Sequence, residues 1–376
     1  MPWRECDRMS LREEFVVLAS QERASVSELC RRFGISRKTG YKWLGRYRSG
    51  GHGALLDRSR RPESTPKRTP REMEERVVDV RCRHRAWGGR KIRRWLLNRG
   101  HRAVPAASTI TEILRRHGLI DEGASQKARA LVRFEHAKPN ELWQMDFKGH
   151  FALASGGRCH PLTVLDDHSR FALALRACGN EQAATVQQQL TGVLRCYGLP
   201  LAMLMDNGSP WGSDAHHRHT PLTAWLMEQG IRITHGRPYH PQTQGKEERF
   251  HRTLQAELLR GREFVDLEDS QRHFDPWRDE YNTQRPHEAL QLAVPASRYQ
   301  VSPRPYVESP ALWDYGPGAV TRKVCGNGRI SFRGREYKIG KPFRGRSVGL
   351  RPSDADGLYG VYFCRTQIRR IDLRDR

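Results

Sequence analysis

Three kinds of periodicity in the 376 residues predict a multidomain chain. Its expected parts are N-terminal all-α modules of helix-turn-helix type, an α/β unit with a mixed sheet, and a small C-terminal β-barrel. Residues 11–118 carry apolar side chains at helical spacing in short runs. From about Glu141, period-two alternation and near-continuous apolar runs take over. Beyond residue 319, short basic strands succeed one another. The length suggests two or three domains at ~100–200 residues each. Nine Trp and 37% hydrophobic residues exclude wholesale disorder. No run approaches the ~18 apolar residues of a membrane span. The start MPWRECDRMSLREEF lacks the apolar segment of a secretion signal. Eight scattered cysteines with no C-x-x-C predict reduced thiols in a cytosolic protein.

The first helical module spans 1–48. Leu11, Phe15 and Leu18 share a helix face. Ser25-Val26-Ser27-Glu28 caps a second helix running through Phe33, and Gly34-Ile35-Ser36 makes a turn. Arg37–Arg48 forms a third, from which Arg37, Lys38, Lys42 and Arg46 project. Gly40 breaks the pattern, because a helix interior favours a larger residue. Residues 49–69 (SGGHGALLDRSRRPESTPKRT) read as a linker. A second module occupies 70–118. A helix from Pro70 to about Arg85 leads to Gly89–Asn98, then to Ser108–His117, capped by Ser108 and stopped by Gly118. Arg90, Lys91, Arg93, Arg94, Arg115 and Arg116 are candidate phosphate contacts. A linker over 119–135 follows.

In ELWQMDFKGHFAL, Trp143, Met145, Phe147 and Phe151 are expected on one strand face. Gln144, Asp146, Lys148 and His150 take the other. HPLTVLDD and RFALALRAC make two more strands around Asp167-His168-Ser169. A helix from about Glu181 to Cys196 precedes the doubly covered strand LAMLMD. A short helix over 222–228, a strand over 231–235 and a long helix over 244–260 complete a unit spanning 136–295. NTQRPHEAL reads as a loop, 296–318 as a linker and 319–376 as the barrel.

Charge narrows the partner. The net charge is +24. Residues 1–135 hold 32 basic and 16 acidic side chains, hence +16; residues 136–376 hold 34 and 26, hence +8. Such an excess, weighted to the helical modules, points to nucleic acid.

Within the α/β unit three carboxylates stand out by position. Asp146 lies on the polar face of the first strand. Asp206 ends the buried strand, before Asn207-Gly208. Glu248 sits early in the long helix. At 100° per residue, Glu248 is about 200° from Phe250 in the apolar stripe Phe250-Leu254-Leu258, while Glu247 is only about 60° away. Glu248 is therefore freer to face a site. Converging carboxylates repel unless a cation neutralises them, and hard oxygen ligands suit Mg²⁺ or Mn²⁺. Two such ions ~3.5–4 Å apart can activate a water or a 3′-hydroxyl and stabilise the leaving oxygen of a phosphodiester.

WQMDFKG, LDDHSR, MDNGSP, HPQTQGKEERFHRTL and YNTQRPHEAL occur in that order. This series resembles the integrase catalytic core of bacterial insertion-sequence transposases of the DDE type, relatives of retroviral integrases. The helical pair in front and the β-domain behind also resemble that family. The resemblance implies a ribonuclease-H-like fold. It implies Asp146, Asp206 and Glu248 as catalytic, metal-binding residues holding two Mg²⁺ (or Mn²⁺) per active site. Implied partners are double-stranded DNA, as terminal inverted repeats and target, and further copies of the chain. The expected place is the bacterial cytoplasm, on the nucleoid. The function so implied is metal-dependent DNA cleavage and strand transfer at the element's ends. The alternatives are a non-catalytic helix-turn-helix DNA-binding protein or transposase remnant, and a ribonuclease-H-like nuclease that cuts without joining. Lys246, Arg249 and Arg252 are candidate DNA contacts. Tyr239, His240 and Gln242 are placed near the DNA end. His216, His217 and His219 are expected in a polar loop, Asp166 and Asp167 as caps or pairing partners, and Arg285 and His287 as structural.

Overall fold

The computed structural model describes residues 8–57, 68–120, 135–212, 219–236, 245–353 and 355–374. The chain divides into two compact units, 1–68 and 69–376.

The first unit is helical: α1 (Arg8–Ala19), α2 (Val26–Arg32) and α3 (Arg37–Gly50). Ser25 caps α2 by accepting the Glu28 amide, and Ser36 caps α3 by accepting that of Thr39. Gly34 makes the turn at φ +63°. Gly40 now has a reason. A Cβ there would stand 2.4 Å from Cys30 Sγ and 2.9 Å from the Phe15 ring, so the bare backbone is what lets α3 close on α1 and α2. The module also runs past residue 48. Leu55 is fully buried, and Arg12 bonds the Leu55 carbonyl and the Asp57 carboxylate at 2.9 Å each. The expected linker thus begins later, and its residues 58–67 lie outside the described ones.

The second unit opens with α4 (Arg71–Arg83), α5 (Gly89–Asn98) and α6 (Ala107–Arg116), closed around Trp87, Ile92, Leu96 and Ile110. Ser108 does not cap α6: the N-cap is Ala106, with no side-chain hydrogen bond, and Ser108 falls inside the first turn. Gly118, at φ +66°, ends the helix as expected. These helices dock on the rest of the unit. His84 reaches Glu280 at 3.0 Å, and Arg99 donates to Gln284 at 2.7 Å.

The central sheet comprises β1 (Trp143–Phe147), β2 (Phe151–Ala152), β3 (Arg158–Asp166), β4 (Ala172–Cys178), β5 (Ala202–Met205) and β6 (Arg232–His235). β3 pairs antiparallel with β1, β2 and β4, while β5 runs parallel to both β1 and β6. The sheet is mixed, as the sequence predicts. One face, with Trp143, Met145, Met203 and Met205, packs under α7 (Ala183–Tyr197) and α8 (Pro221–Glu228). The other, with Leu165, Ala172 and Leu175, packs under α9 (Gly245–Leu254) and α10 (Leu267–Thr283). Phe151 departs from expectation and joins this second face, against Phe264 at 5.0 Å. Gly149, at φ +85°, interrupts the strand and resets its alternation.

α10 forms although Pro276, which disfavours a helix interior, sits in its middle. Asp266 caps it through the Asp269 amide at 2.7 Å. It runs along the outer edge of β4. Gln271 bonds the Ala177 amide and Leu175 carbonyl, and Asn282 bonds the amide and carbonyl of Ala172. An edge strand that would otherwise present bare peptide groups is covered by side-chain amides.

The expected linker 296–318 begins as a packed strap. Tyr299 stacks on Phe171 at 4.3 Å, and Arg304 donates to the carbonyls of Pro200, Gln229 and Gly230. Beyond it, β7 (Val320–Lys323), β10 (Ser347–Pro352), β11 (Leu358–Phe363) and β12 (Thr366–Asp372) form an open antiparallel sheet in the order β12-β11-β10-β7. β8 (Arg329–Phe332) and β9 (Arg335–Lys338) form a separate hairpin. Among the described residues the outer strands β12 and β7 do not pair, so the C-terminal domain is built of sheets, where the sequence predicts a small barrel. Among those residues, no helix is long and apolar enough to cross a membrane.

Gly40→Ala is expected to destabilise the first unit by about 1–3 kcal/mol through overpacking. Gly45→Ala, on the same helix with nothing within 4 Å of its Cβ position, should be neutral or stabilising by up to about 1 kcal/mol. Native-state hydrogen exchange of the α1–α3 amides in the full chain compares the two.

Candidate active site

Strand register brings the first two carboxylates together. β1 and β5 pair in parallel as Trp143↔Met203 and Gln144↔Leu204. The same offset carried two residues further sets Asp146 beside Asp206, at the strand ends. The Asp206 carboxylate accepts the Gly208 amide at 3.1 Å, and its carbonyl is 2.8 Å from His235 Nδ1. Asn207 donates to the Gly236 carbonyl, tying the turn to the end of β6. Trp211 is buried and stacks on Phe147. MDNGSPW is thus a braced turn that presents one carboxylate.

The electrostatics are those of a crowded acidic site. Burial, then the neighbouring Asp206, push the Asp146 carboxyl up to about 7. Asp206 is raised as well, first by burial. Glu181, just before α7 and 2.8 Å from His160, adds repulsion to both. In the sequence Glu181 is a lone Glu at a helix start, with no local pattern that marks it as part of a site.

α9 presents two adjacent glutamates on different sides. Phe250, Leu254 and Leu258 are buried, where their spacing puts them. Glu247 is 1% exposed, and its Oε2 lies 3.1 Å from the Thr163 hydroxyl. Burial and Asp146 raise it well above the usual carboxylate range. The Glu248 side chain is 63% exposed and lies 3.8 Å from Arg252. Among the described residues no three His, Cys, Asp or Glu side chains are grouped so as to hold a metal ion. Two paired carboxylates of hard oxygen, each raised in part by other acidic groups, nevertheless fit a divalent cation, because its charge would relieve their repulsion.

The LDDHSR turn proves structural. Asp166 accepts the amides of Asn140 and Ser169 and the Ser169 hydroxyl. Asp167 accepts Gln144 Nε2 and the His136 amide, and pairs with Lys246 at the start of α9. Burial alone would raise Asp167, but the Lys246 ammonium and the His136 hydrogen bonds hold it below the ordinary range. Lys246, a candidate DNA contact, is thereby engaged by the protein. Arg249 and Arg252 are exposed on α9. Arg285 pairs with Glu257 at 2.9 Å deep in the unit, and His287 is buried beside Tyr281. His219 lies against Phe343. His216, His217, Tyr239, His240 and Gln242 lie outside the described residues.

Of the helical candidates, Arg37, Lys38 and Lys42 are exposed on α3. Lys42 and Arg46 lie over the Trp43 ring, at 5.1 and 4.9 Å. Arg90, Arg93 and Arg94 are exposed on α5, whereas burial and Arg285 lower the half-buried Lys91 to about 8. Arg115 pairs with Glu112 and Arg116 with Glu74.

Known proteins resemble the chain part by part. Integrase core domain models match residues 136–241 and 229–295. Helix-turn-helix and homeodomain-like models match 12–63 and 39–114. The C-terminal domain of the IS481 family transposase matches 319–376. An uncharacterized 31.7 kDa protein of insertion element IS407 from Burkholderia multivorans is 26% identical over 242 residues, covering 63% of this chain and 84% of that one. An uncharacterized 39.2 kDa protein of insertion element IS476 from Xanthomonas euvesicatoria is 27% identical, covering 62% and 66%. A chain of the simian T-cell lymphotropic virus intasome aligns at a TM-score of 0.39 and 14% identity, covering 79% of this chain and 95% of that one. The middle of the molecule is thus an integrase core, preceded by helix-turn-helix modules. The transposase and integrase-core models and the insertion-element relatives together support a bacterial insertion-sequence transposase of the retroviral integrase superfamily.

The raised Asp146 carboxyl has a consequence for stability. Its pKa is above the unfolded value near 3.8, so its penalty is absent below about pH 4, grows as pH rises and is complete above about 7. In EDTA, Asp146→Asn should therefore stabilise the protein by about 1–3 kcal/mol at pH 8 and hardly at all at pH 4. Thermal melts at the two pH values measure this.

Proposed function

We propose that the protein is a DNA transposase that cuts at the ends of its own insertion sequence and joins them to target DNA. The observation that carries the proposal is the register of β1 on β5, which sets Asp146 beside Asp206 at one end of an integrase-core sheet. Asp146, Asp206 and Glu248 would hold Mg²⁺ or Mn²⁺, two ions per site. Asp146 and Asp206 supply the fixed oxygens, and Glu248 closes the site from the exposed side of α9. The cations, when bound, would supply the charge that activates a water or a 3′-hydroxyl and neutralises the leaving oxygen. The chain's own part is to hold these carboxylates on a rigid sheet and to orient the DNA. Arg249 and Arg252, next to Glu248, are suited to the phosphates of the DNA end, and Lys246 serves there only if it leaves Asp167.

End recognition falls to the helical modules. Arg37, Lys38, Lys42 and Arg46 on α3, with Arg90, Lys91, Arg93, Arg94, Arg115 and Arg116 on α5 and α6, are the proposed contacts with the terminal repeats. The units are proposed as 1–57, 70–118, 136–295 and 319–376, the first extended past residue 48 by the packing of Leu55, with two or more copies bringing both ends together in the bacterial cytoplasm. A non-catalytic DNA-binding protein would have no need for two coupled carboxylates at the sheet's end.

Purified protein, Mg²⁺ and a duplex ending in the inverted repeat beside the coding region should give joined products. Asp146→Asn and Glu248→Gln should lose at least about 100-fold of that rate while keeping DNA affinity. Unchanged joining in either variant contradicts the assignment of that residue. Affinity for the repeat should fall steeply with salt as counterions are released, about 10³-fold or more between 50 and 200 mM if six or more phosphates are contacted. Removing residues 1–135 should abolish the preference for the repeat, and a filter-binding series on both proteins decides it.

A further inference from the structure

The metal reading leaves Glu247 without a task. It is buried between α9 and the β1–β3 pair. The Thr163 hydroxyl next to it lies 2.9 Å from the Asp146 carbonyl oxygen and 2.8 Å from His251 Nε2. His251 Nδ1 stands 3.9 Å from an Asp146 carboxylate oxygen. Among the described residues, Glu247 Oε1 has no hydrogen-bond partner. A buried carboxyl with an unsatisfied oxygen costs stability that Met or Leu of similar volume would not. Packing alone therefore gives no reason for a glutamate here.

Two roles are open to a carboxyl in this place: ligand or support. A ligand must be reached by a hydrated cation and by a DNA phosphate. Glu247 is sealed beneath the seam of α9 with the sheet, whereas Glu248, one residue on, is exposed. The hydrogen bonds favour support. The Thr163 hydroxyl faces two acceptors, the Asp146 carbonyl oxygen and Glu247 Oε2, and its oxygen lies 2.8 Å from His251 Nε2, so the contact ties α9 to β1. A glutamine amide would serve that contact as well.

We propose that Glu247 is a positioning residue: through Thr163 and His251 it fixes the backbone of Asp146 and the rotation of α9 that turns Glu248 outward. The proposal rests on the assignment of Asp146, Asp206 and Glu248 as the metal site. It makes α9 a helix whose two glutamates divide the work, one gripping the sheet and the other facing the DNA.

The test uses the full chain, Mn²⁺ titrated calorimetrically, and joining of the inverted-repeat duplex. Glu247→Gln should stay within about threefold of the parent in joining and Mn²⁺ affinity. Glu247→Met should melt no lower than the parent yet join about 10–100-fold more slowly, the usual effect of losing a group that orients a ligand. Thr163→Val should share that loss and Thr163→Ser restore the rate. Glu248→Gln should lose Mn²⁺ affinity. Loss of Mn²⁺ affinity in Glu247→Gln with retention in Glu248→Gln would make Glu247 the ligand and overturn the proposal. So would parental joining by Glu247→Met, or a lowered melting temperature that accounts for its slower joining. Asp146→Asn, which leaves Glu247 in place, separates the two failures: undiminished Mn²⁺ affinity there sinks the metal site itself.

Discussion

Two carboxylates that repel each other are held side by side because β1 and β5 pair in parallel. Antiparallel pairing would need only a hairpin, but parallel pairing needs a long crossover. Here the intervening chain includes β3, β4 and α7, which become the neighbouring strands and the cover on one face. The unfavourable contact between Asp146 and Asp206 is sustained by that packing. Trp143, Met145, Met203 and Met205, on the same two strands, are all fully buried. The apolar half of each strand anchors the acidic end of the other half.

The same economy governs α9. Its apolar stripe grips the sheet through Phe250 and Leu254, and Asp167 holds Lys246 at its first turn. The LDDHSR turn therefore fixes the start of the helix that carries both glutamates. α10 covers the exposed edge of β4, and the strap through Tyr299 and Arg304 binds α8 and β5 from the far side. The C-terminal sheet shares a core with Ala224 and Met227 of α8, and Arg346 pairs with Glu228 at 2.8 Å. A molecule with a net charge of +24 thus keeps a local negative site at the end of its central sheet.

Much of this was legible in the sequence where one signal dominated. Period-two alternation placed β1, a continuous apolar run placed β5, and the Ser25 cap placed α2. The apolar stripe of α9 separated Glu247 from Glu248 on geometry alone. Legibility failed where tertiary contacts decide. Pro276 hid α10, whose stability comes from packing Phe274, Trp277 and Tyr281 rather than from propensity. Gly40 looked like a flaw until Cys30 and Phe15 were seen against it. Phe151 changed face because Gly149 broke the strand. Proline-rich composition suggested a linker where Arg304 in fact bonds three carbonyls. Glu181 and the Thr163–Glu247 contact join residues far apart in the chain, which no local pattern reveals.

The central claim is that the Asp146–Asp206 pair is built to hold a divalent cation. Anomalous diffraction from crystals of the full chain soaked in Mn²⁺ tests it most directly. A peak bonded to carboxylate oxygens of both Asp146 and Asp206 is predicted, and it should vanish in Asp146→Asn. Mn²⁺ bound elsewhere with that pair left bare, or a peak that survives the substitution unchanged, would contradict the account.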